Sequence, residues 1–297
     1  SLPFKRLAFD KAILKVVTTY PKKYDCRNEV INNANTKFAT EHLGYSKIIV
    51  TTKSKTVHGA SSRAIRSLDT IRALLCMFSN ASMELFGDSY LPINCIRLVE
   101  VHSLHNDNGS SAANGTVWFE PGFVIRKPYI SKDDKLKKDL LWSIGRLDEC
   151  RYSDVLKDGL LRYVRALDES DHNTALLRMW GALECIAAPS ESNYDAVTKR
   201  CAFIFTEVNY HHQILEHLRE FRNKSVHIGE QSEKAKTYCF QLQFYFIQLI
   251  MFHLRNTKEF NSLAQANNFL DLPTDKDTIL ERRRMLDKAI KYRSISS

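Results

Sequence analysis

The sequence predicts an α+β protein, with a mixed α/β domain over residues 1–130 followed by an all-α helical bundle over residues 131–297. Three observations point there. Short β-branched runs bounded by turn residues are confined to the first 130 residues or so. From about Ser131, glycine and proline become sparse and apolar residues recur at spacings of three and four, the period of a helix with one face to bury. At 297 residues, with 44% hydrophobic and 26% charged side chains, the composition is that of a globular chain long enough for two domains.

Taken in order, Lys47–Thr52 (KIIVTT) lies between Gly44 and Gly59 and reads as a strand. Ser61–Phe78 has Ile65, Leu68, Ile71, Leu74 and Leu75 on one face and Arg63, Arg66 and Arg72 elsewhere, which is an amphipathic helix. Ile96–Leu104 and Thr116–Arg126 read as two strands joined by a long mobile loop, Asn106–Gly115, made of Asn, Asp, Gly, Ser and Ala. The boundary falls near Lys127–Lys135. Helices are then expected over Leu136–Leu147, Tyr152–Asp168, His172–Ala188, Asn193–Asn209, His211–His227, Ser232–Arg255 and Asp277–Tyr292. No repeat of fixed period is visible.

Charge and cysteine usage narrow the setting. A formal charge of +9 and a pI near 9.1 draw the chain toward polyanions, of which nucleic acid is the commonest. The seven cysteines form no CxxC pair, and Cys76, Cys185, Cys201 and Cys239 sit in apolar runs where a thiol fills core space. Such usage suits a reducing compartment, so a cytoplasmic location is expected. The most apolar run, Tyr238–Leu254, is interrupted by Gln241, Gln243 and Gln248, so no membrane association is expected.

One stretch carries chemistry: Phe221-Arg222-Asn223-Lys224-Ser225-Val226-His227-Ile228-Gly229, at the end of one apolar helix and before another. Histidine near its unperturbed pKa can take or return a proton at neutral pH, and arginine offers a permanently charged fork to phosphate oxygens. Those are the groups needed to drive a ribose hydroxyl onto the adjacent phosphate without a metal. On a straight helix, residues five apart point about 140° away from each other, so one motif by itself need not form a whole site. Gly229 is placed as a C-cap, and an unwinding last turn there would let His227 swing toward Arg222.

The stretch resembles the R-x4-H motif of the HEPN superfamily, including the small polar residue after the arginine. The upstream helix Ala175–Ile186, with Trp180, Leu183 and Glu184, resembles the W-x-x-L-E helix of the ApeA-like branch, which is associated with bacterial defence against phage. Lys199 and Arg200 resemble the basic pair that opens the next helix in that branch. The resemblance covers roughly Leu136–Arg255 and does not by itself explain Ser1–Lys135. It implies a metal-independent, cofactor-free endoribonuclease in a defence or toxin setting, acting on an RNA such as tRNA or a phage transcript. It also implies a homodimer in which two motifs face each other, with Arg222 and His227 catalytic and the N-terminal part a sensor or regulator. Glu184 would orient Arg222, and Asn223 would touch substrate or hold His227. Lys224, Lys199, Arg200, Arg282, Arg283 and Arg284 are the candidate RNA contacts.

Plainer readings compete. Arg222 and His227 also fit a surface arginine and a helix-terminal histidine favoured by the macrodipole. Glu184 fits an ion pair within a bundle, Trp180 a core residue, and the Arg282–Arg284 run a solvated face. His211, His212 and His217, or His102 and His105 with Asp107, lack metal-ligand spacing. No GxxxxGK[ST] or GxGxxG sequence is present, so nothing supports nucleotide hydrolysis or a dinucleotide cofactor. A non-catalytic HEPN module that binds RNA or nucleotide, or that serves assembly, is the alternative to the nuclease.

Overall fold

In the computed structural model, which describes residues 2–84, 91–125, 129, 134–189, 194–228 and 232–295, the first element is one that periodicity alone did not mark. Strands β1 (Arg6–Phe9) and β2 (Ala12–Val17) form a hairpin whose inward residues Leu7, Phe9, Ala12 and Leu14 are buried, while the alternating Arg6, Ala8, Ile13 and Lys15 are exposed. Its two-residue turn, Asp10-Lys11, has both φ angles positive, at 49° and 63°, which glycine or asparagine usually supplies. β3 (Lys47–Thr52) coincides with the expected strand and completes an antiparallel sheet in the order β1-β2-β3, pairing Leu14 with Val50. Helix α1 (Arg27–Ala34) lies between β2 and β3 in the chain.

Helix α2 (Val57–Ser79) begins at Thr56, whose hydroxyl accepts the Gly59 N–H, and extends the expected helix by a turn. β4 (Val101–Ser103) and β5 (Val117–Phe119) pair antiparallel, so the second hairpin is present with strands much shorter than the runs predicting them. The loop between them is folded on itself. His105 bridges to Ser111, Asn106 N–H donates to Ser110 O at 2.9 Å, and Gly109, at φ 91°, leaves no room for a Cβ against the Lys23 carbonyl.

The boundary expected at Lys127–Lys135 falls mostly on residues outside those described. The helices that follow are α3 (Asp134–Glu149), α4 (Ser153–Ala166), α5 (His172–Ala187), α6 (Tyr194–Phe203), α7 (Val208–Ile228), α8 (Ala235–Arg255), α9 (Leu263–Leu270) and α10 (Lys276–Ile295). The expected helix over Asn193–Asn209 instead ends at Phe203, and α7 begins at Val208. α9, capped by Ser262, went unforeseen because eight residues carry too few turns to establish a period. The whole is α+β, with ten helices and two small antiparallel sheets among the described residues.

The helical layer recruits α2 from the first 130 residues. α2 packs on α3 and α4, α4 on α5, and α5 on α8, around one core running from Phe4 to Leu270. Trp180, Tyr163 and Phe246 are its largest fully buried side chains, the last two stacked at 4.7 Å with rings nearly parallel. Trp180 is therefore a core residue, as the plainer reading had it. Cys76, Cys201 and Cys239 are buried and Cys185 half-buried, and none of the seven is in a disulfide. Burial pushes Cys185 and Cys201 up to about 12, which leaves them protonated and inert at neutral pH. Among the described residues no helix is long and apolar enough to cross a membrane.

Candidate functional site

The site is built where α7 passes α5. Trp180 and Glu184, four apart on α5, share a helix face, and the indole Nε1 donates to Glu184 Oε1 at 2.6 Å. With Trp180 locked in the core, this bond fixes the carboxylate where α5 meets solvent. Arg222 of α7 reaches the same oxygen from the other side, Nη2 to Oε1 at 3.4 Å, while its Nη1 donates to Asn223 Oδ1 at 3.1 Å. The Arg222 side chain is 15% exposed and Glu184 27%, so the pair sits at the edge of the core and neither residue is submerged. Glu184 is thus an acceptor shared by a neutral core donor and a cationic surface one.

Downstream, α7 stays α-helical through Ile228, which places His227 on its last turn. The unwinding that Gly229 would supply falls on residues outside those described, as does the His227 side chain. Along an unbroken helix the two motif residues are separated by about 7.5 Å of rise and about 140° of rotation. Lys224 is exposed and pairs with Glu220 at 2.9 Å, an i, i+4 pair that holds the Glu220 carboxyl below its usual range. Lys199, Arg282, Arg283 and Arg284 are all exposed.

Arg200 is a correction. Sequence reasoning offered it to RNA, but it is buried. Its Nε and Nη2 grip Asp271 at 2.7 and 2.6 Å, and Nη1 donates to the Ala187 carbonyl. An arginine so engaged ties α6 to the ends of α5 and α9, and a phosphate could reach it only by breaking that tie. Nor does it open its helix with Lys199, since both lie in the second half of α6.

The histidines of α7 go to separate partners. His211 stacks on Phe205 at 3.8 Å and bonds Tyr245 Oη at 3.0 Å, His212 lies beside Thr198 and Glu216, and His217 faces Tyr238. His105 contacts Ser103 and Gly109, and among the described residues no three His, Cys, Asp or Glu side chains are grouped to hold a metal ion.

No family model, curated protein or solved structure matches this chain.

What sequence reasoning missed is a buried ionic network at the junction of α2, α4 and the second hairpin. Arg72 lies at the centre, its side chain 3% exposed, with Nη2 2.8 Å from Asp69 and 2.7 Å from Asp168. Arg165 bonds Asp69 and Glu120 at 2.6 Å each, and Arg97 approaches Asp168 at 3.5 Å. Burial alone would lower the Arg72 pKa, but Asp168 and Asp69 outweigh it and hold the guanidinium charged. Burial likewise opposes ionisation of Asp168, and Arg72 overcomes it, leaving that carboxyl below its usual range. Reading α2 as a stripe placed Arg72 on the outer face. The clue was Asp69 and Arg72 at i, i+3 inside the apolar run Leu68–Leu75.

Proposed function

We propose that this chain is a metal-independent endoribonuclease of the HEPN type, serving anti-phage defence or a toxin system, with RNA as substrate and a homodimer as the active form. The observation that carries the reading is the Trp180–Glu184–Arg222 relay. A core tryptophan fixes a carboxylate that in turn holds an arginine five residues before a histidine at a helix end. That is the supporting arrangement a phosphate-binding arginine needs, since a preorganised donor stabilises developing charge without moving at the moment of reaction.

The chemistry follows from the two side chains. With an imidazole accepting its proton, the ribose 2′-oxygen attacks the adjacent phosphorus. Arg222 balances the charge on the pentacoordinate phosphorane. The 5′-oxygen then leaves with a proton returned by imidazolium, giving a 2′,3′-cyclic phosphate and a 5′-hydroxyl. Because α7 is unbroken, the arginine and histidine of one chain diverge by about 140°, which favours a site completed by the same motif of a second copy. Lys224, Lys199 and the Arg282–Arg284 run supply exposed positive charge to draw in the strand.

A second reading keeps the fold and drops the chemistry. Arg222 already bonds Glu184 and Asn223 within its own chain, which suits a binding or assembly module as well. Incubating the protein with labelled single-stranded RNA and with tRNA in EDTA, beside Arg222→Ala and His227→Ala, separates the two. The nuclease reading expects cleavage in EDTA that falls at least about 100-fold in each variant, with cyclic-phosphate ends. Salt-sensitive binding without cleavage by a folded dimer favours the module, and cleavage that persists in both variants refutes the site assignment.

A further inference from the structure

Between β3, α2 and the second hairpin lies a cavity of about 640 Å³, remote in sequence from Arg222 and independent of the nuclease reading. Its walls explain an oddity of β3, whose Ile48, Ile49 and Val50 are only half-buried although β-branched and central to the strand. They line this space together with Leu68 and Ile71 of α2. The volume falls within the range of organic-ligand sites, and such sites combine an apolar body with a few fixed polar groups.

The polar groups here are of a particular kind. Aromatic faces come from Tyr20, Tyr24, Tyr45 and Trp118, the last with its indole fixed by Nε1 donating to Glu120 Oε1 at 2.8 Å. Two cations, Lys23 and Arg27, stand beside them, 5.0 Å from the Tyr24 ring and 4.7 Å from the Tyr20 ring. Their hydrogen-bond partners are neutral: Lys23 donates to the backbone carbonyl of Asp107, and Arg27 to that of Thr40 and to Asn28 Oδ1. Of the nearby acidic residues, Glu41 is taken by Lys47 at 2.6 Å, and Asp107, which lines the cavity, is exposed and meets Lys23 through its backbone carbonyl. His102, the cross-strand partner of Trp118, also lines the cavity, and its Nε2 is buried with no hydrogen-bond partner. Burial lowers this imidazole to about 4, so at neutral pH it is an uncharged group able to give or accept one hydrogen bond.

We propose that this cavity binds a heteroaromatic organic anion of about nucleoside-monophosphate size, its ring among the tyrosines and Trp118 and its anionic group toward Lys23 and Arg27. The aromatic walls call for a flat π-system and the two cations for negative charge. His102 adds a neutral imidazole to the lining, a hydrogen-bonding group that favours a heteroaromatic ring over a plain hydrocarbon.

The test is thermal unfolding of the full chain with each of AMP, GMP, CMP and UMP at 1 mM, alongside the matching nucleosides and inorganic phosphate. At least one monophosphate should raise the midpoint by about 2 °C or more, with nucleoside and phosphate each giving less. Lys23→Ala/Arg27→Ala should weaken that monophosphate at least tenfold. If the double variant unfolds, Lys23→Gln is read instead and should weaken it by a smaller factor. Arg222→Ala should bind as the parent does. No shift with any of the four monophosphates overturns the proposal. So does equal binding of nucleoside and monophosphate, and so does loss in Arg222→Ala with retention in the Lys23 and Arg27 variants, which would place the ligand at the α7 motif.

Discussion

Arg72 and Arg222 are both arginines set against carboxylates, but their surroundings differ in kind. Arg72 is 3% exposed and gripped by two aspartates at 2.8 Å or less, in a network that binds α2 to α4 and the second hairpin. Arg222 is 15% exposed, and its 3.4 Å contact to Glu184 is long for an ion pair. The first has exchanged its hydration for fixed partners on every side. The second is held less closely, by Glu184 and Asn223 among its partners, and stands next to solvent. Removing the first arginine strands buried charge, whereas removing the second costs little structure and should be felt in chemistry.

The largest expected effect tests the buried side of this contrast. Arg72→Leu should destabilise the protein by about 3 kcal/mol or more in urea unfolding, because Asp69 and Asp168 lose their central cation. A loss under about 1 kcal/mol would mean that Arg97 and Arg165 suffice, and the contrast with Arg222 would collapse.

Next comes acid sensitivity. His253 is fully buried, accepts from or donates to Tyr152 Oη at 3.1 Å, and is lowered by burial from 6.5 to about 3. The unfolded chain therefore binds a proton below 6.5 that the folded chain refuses until about 3, so stability is full above 6.5 and falls as pH drops through that window. Between pH 6.5 and 5 this one group should cost about 2 kcal/mol. His253→Gln should flatten the slope, measured by urea unfolding at both pH values, and an unchanged slope would locate the titration elsewhere.

A smaller effect bears on the exposed side. Glu184→Gln keeps the shape but removes the charge that Trp180 and Arg222 share, and should cost about 1–2 kcal/mol of stability. RNA cleavage should fall more steeply than stability does; parallel decline would make Glu184 a structural residue only. Smallest of all, Arg282→Ala/Arg283→Ala/Arg284→Ala should leave stability within about 0.5 kcal/mol. It should reduce the dependence of RNA binding on salt, and an unaltered salt slope would return those arginines to a solvated face.

The same contrast marks what the sequence made legible. Long elements with a clean period were readable, as were β3 and the helical half, since α5 and α8 announce a buried face residue by residue. The first hairpin was not, because its turn is Asp10-Lys11 where the usual cue is Asn-Gly or Asp-Gly. Arg72 and Arg200 misled for a related reason: a basic side chain suggests solvent or phosphate, and only the fold reveals the carboxylate waiting for it. Asp271, which holds Arg200, is 71 residues away in the chain. Glu184 and Arg222 lie 38 apart and were linked through family resemblance, whereas the cavity at β3 has walls drawn from stretches scattered between Leu2 and Tyr129 and leaves no local trace.

The polar cluster around Asn80 has a bearing on how the chain reaches this state. Asn80 Nδ2 lies 2.8 Å from Gln243 Oε1 and 3.0 Å from Asn94 Oδ1, Gln243 Nε2 donates to the Ala81 carbonyl, and Tyr163 donates to Gln243 across 80 residues. The bonds to Gln243 form only once α8 has joined α2 and α4, an encounter spanning 163 residues. Contacts so distant along the chain close late and slowly. During synthesis, the Asn80–Gln243 bond must wait until α8 emerges, which ties the two halves into one cooperative unit.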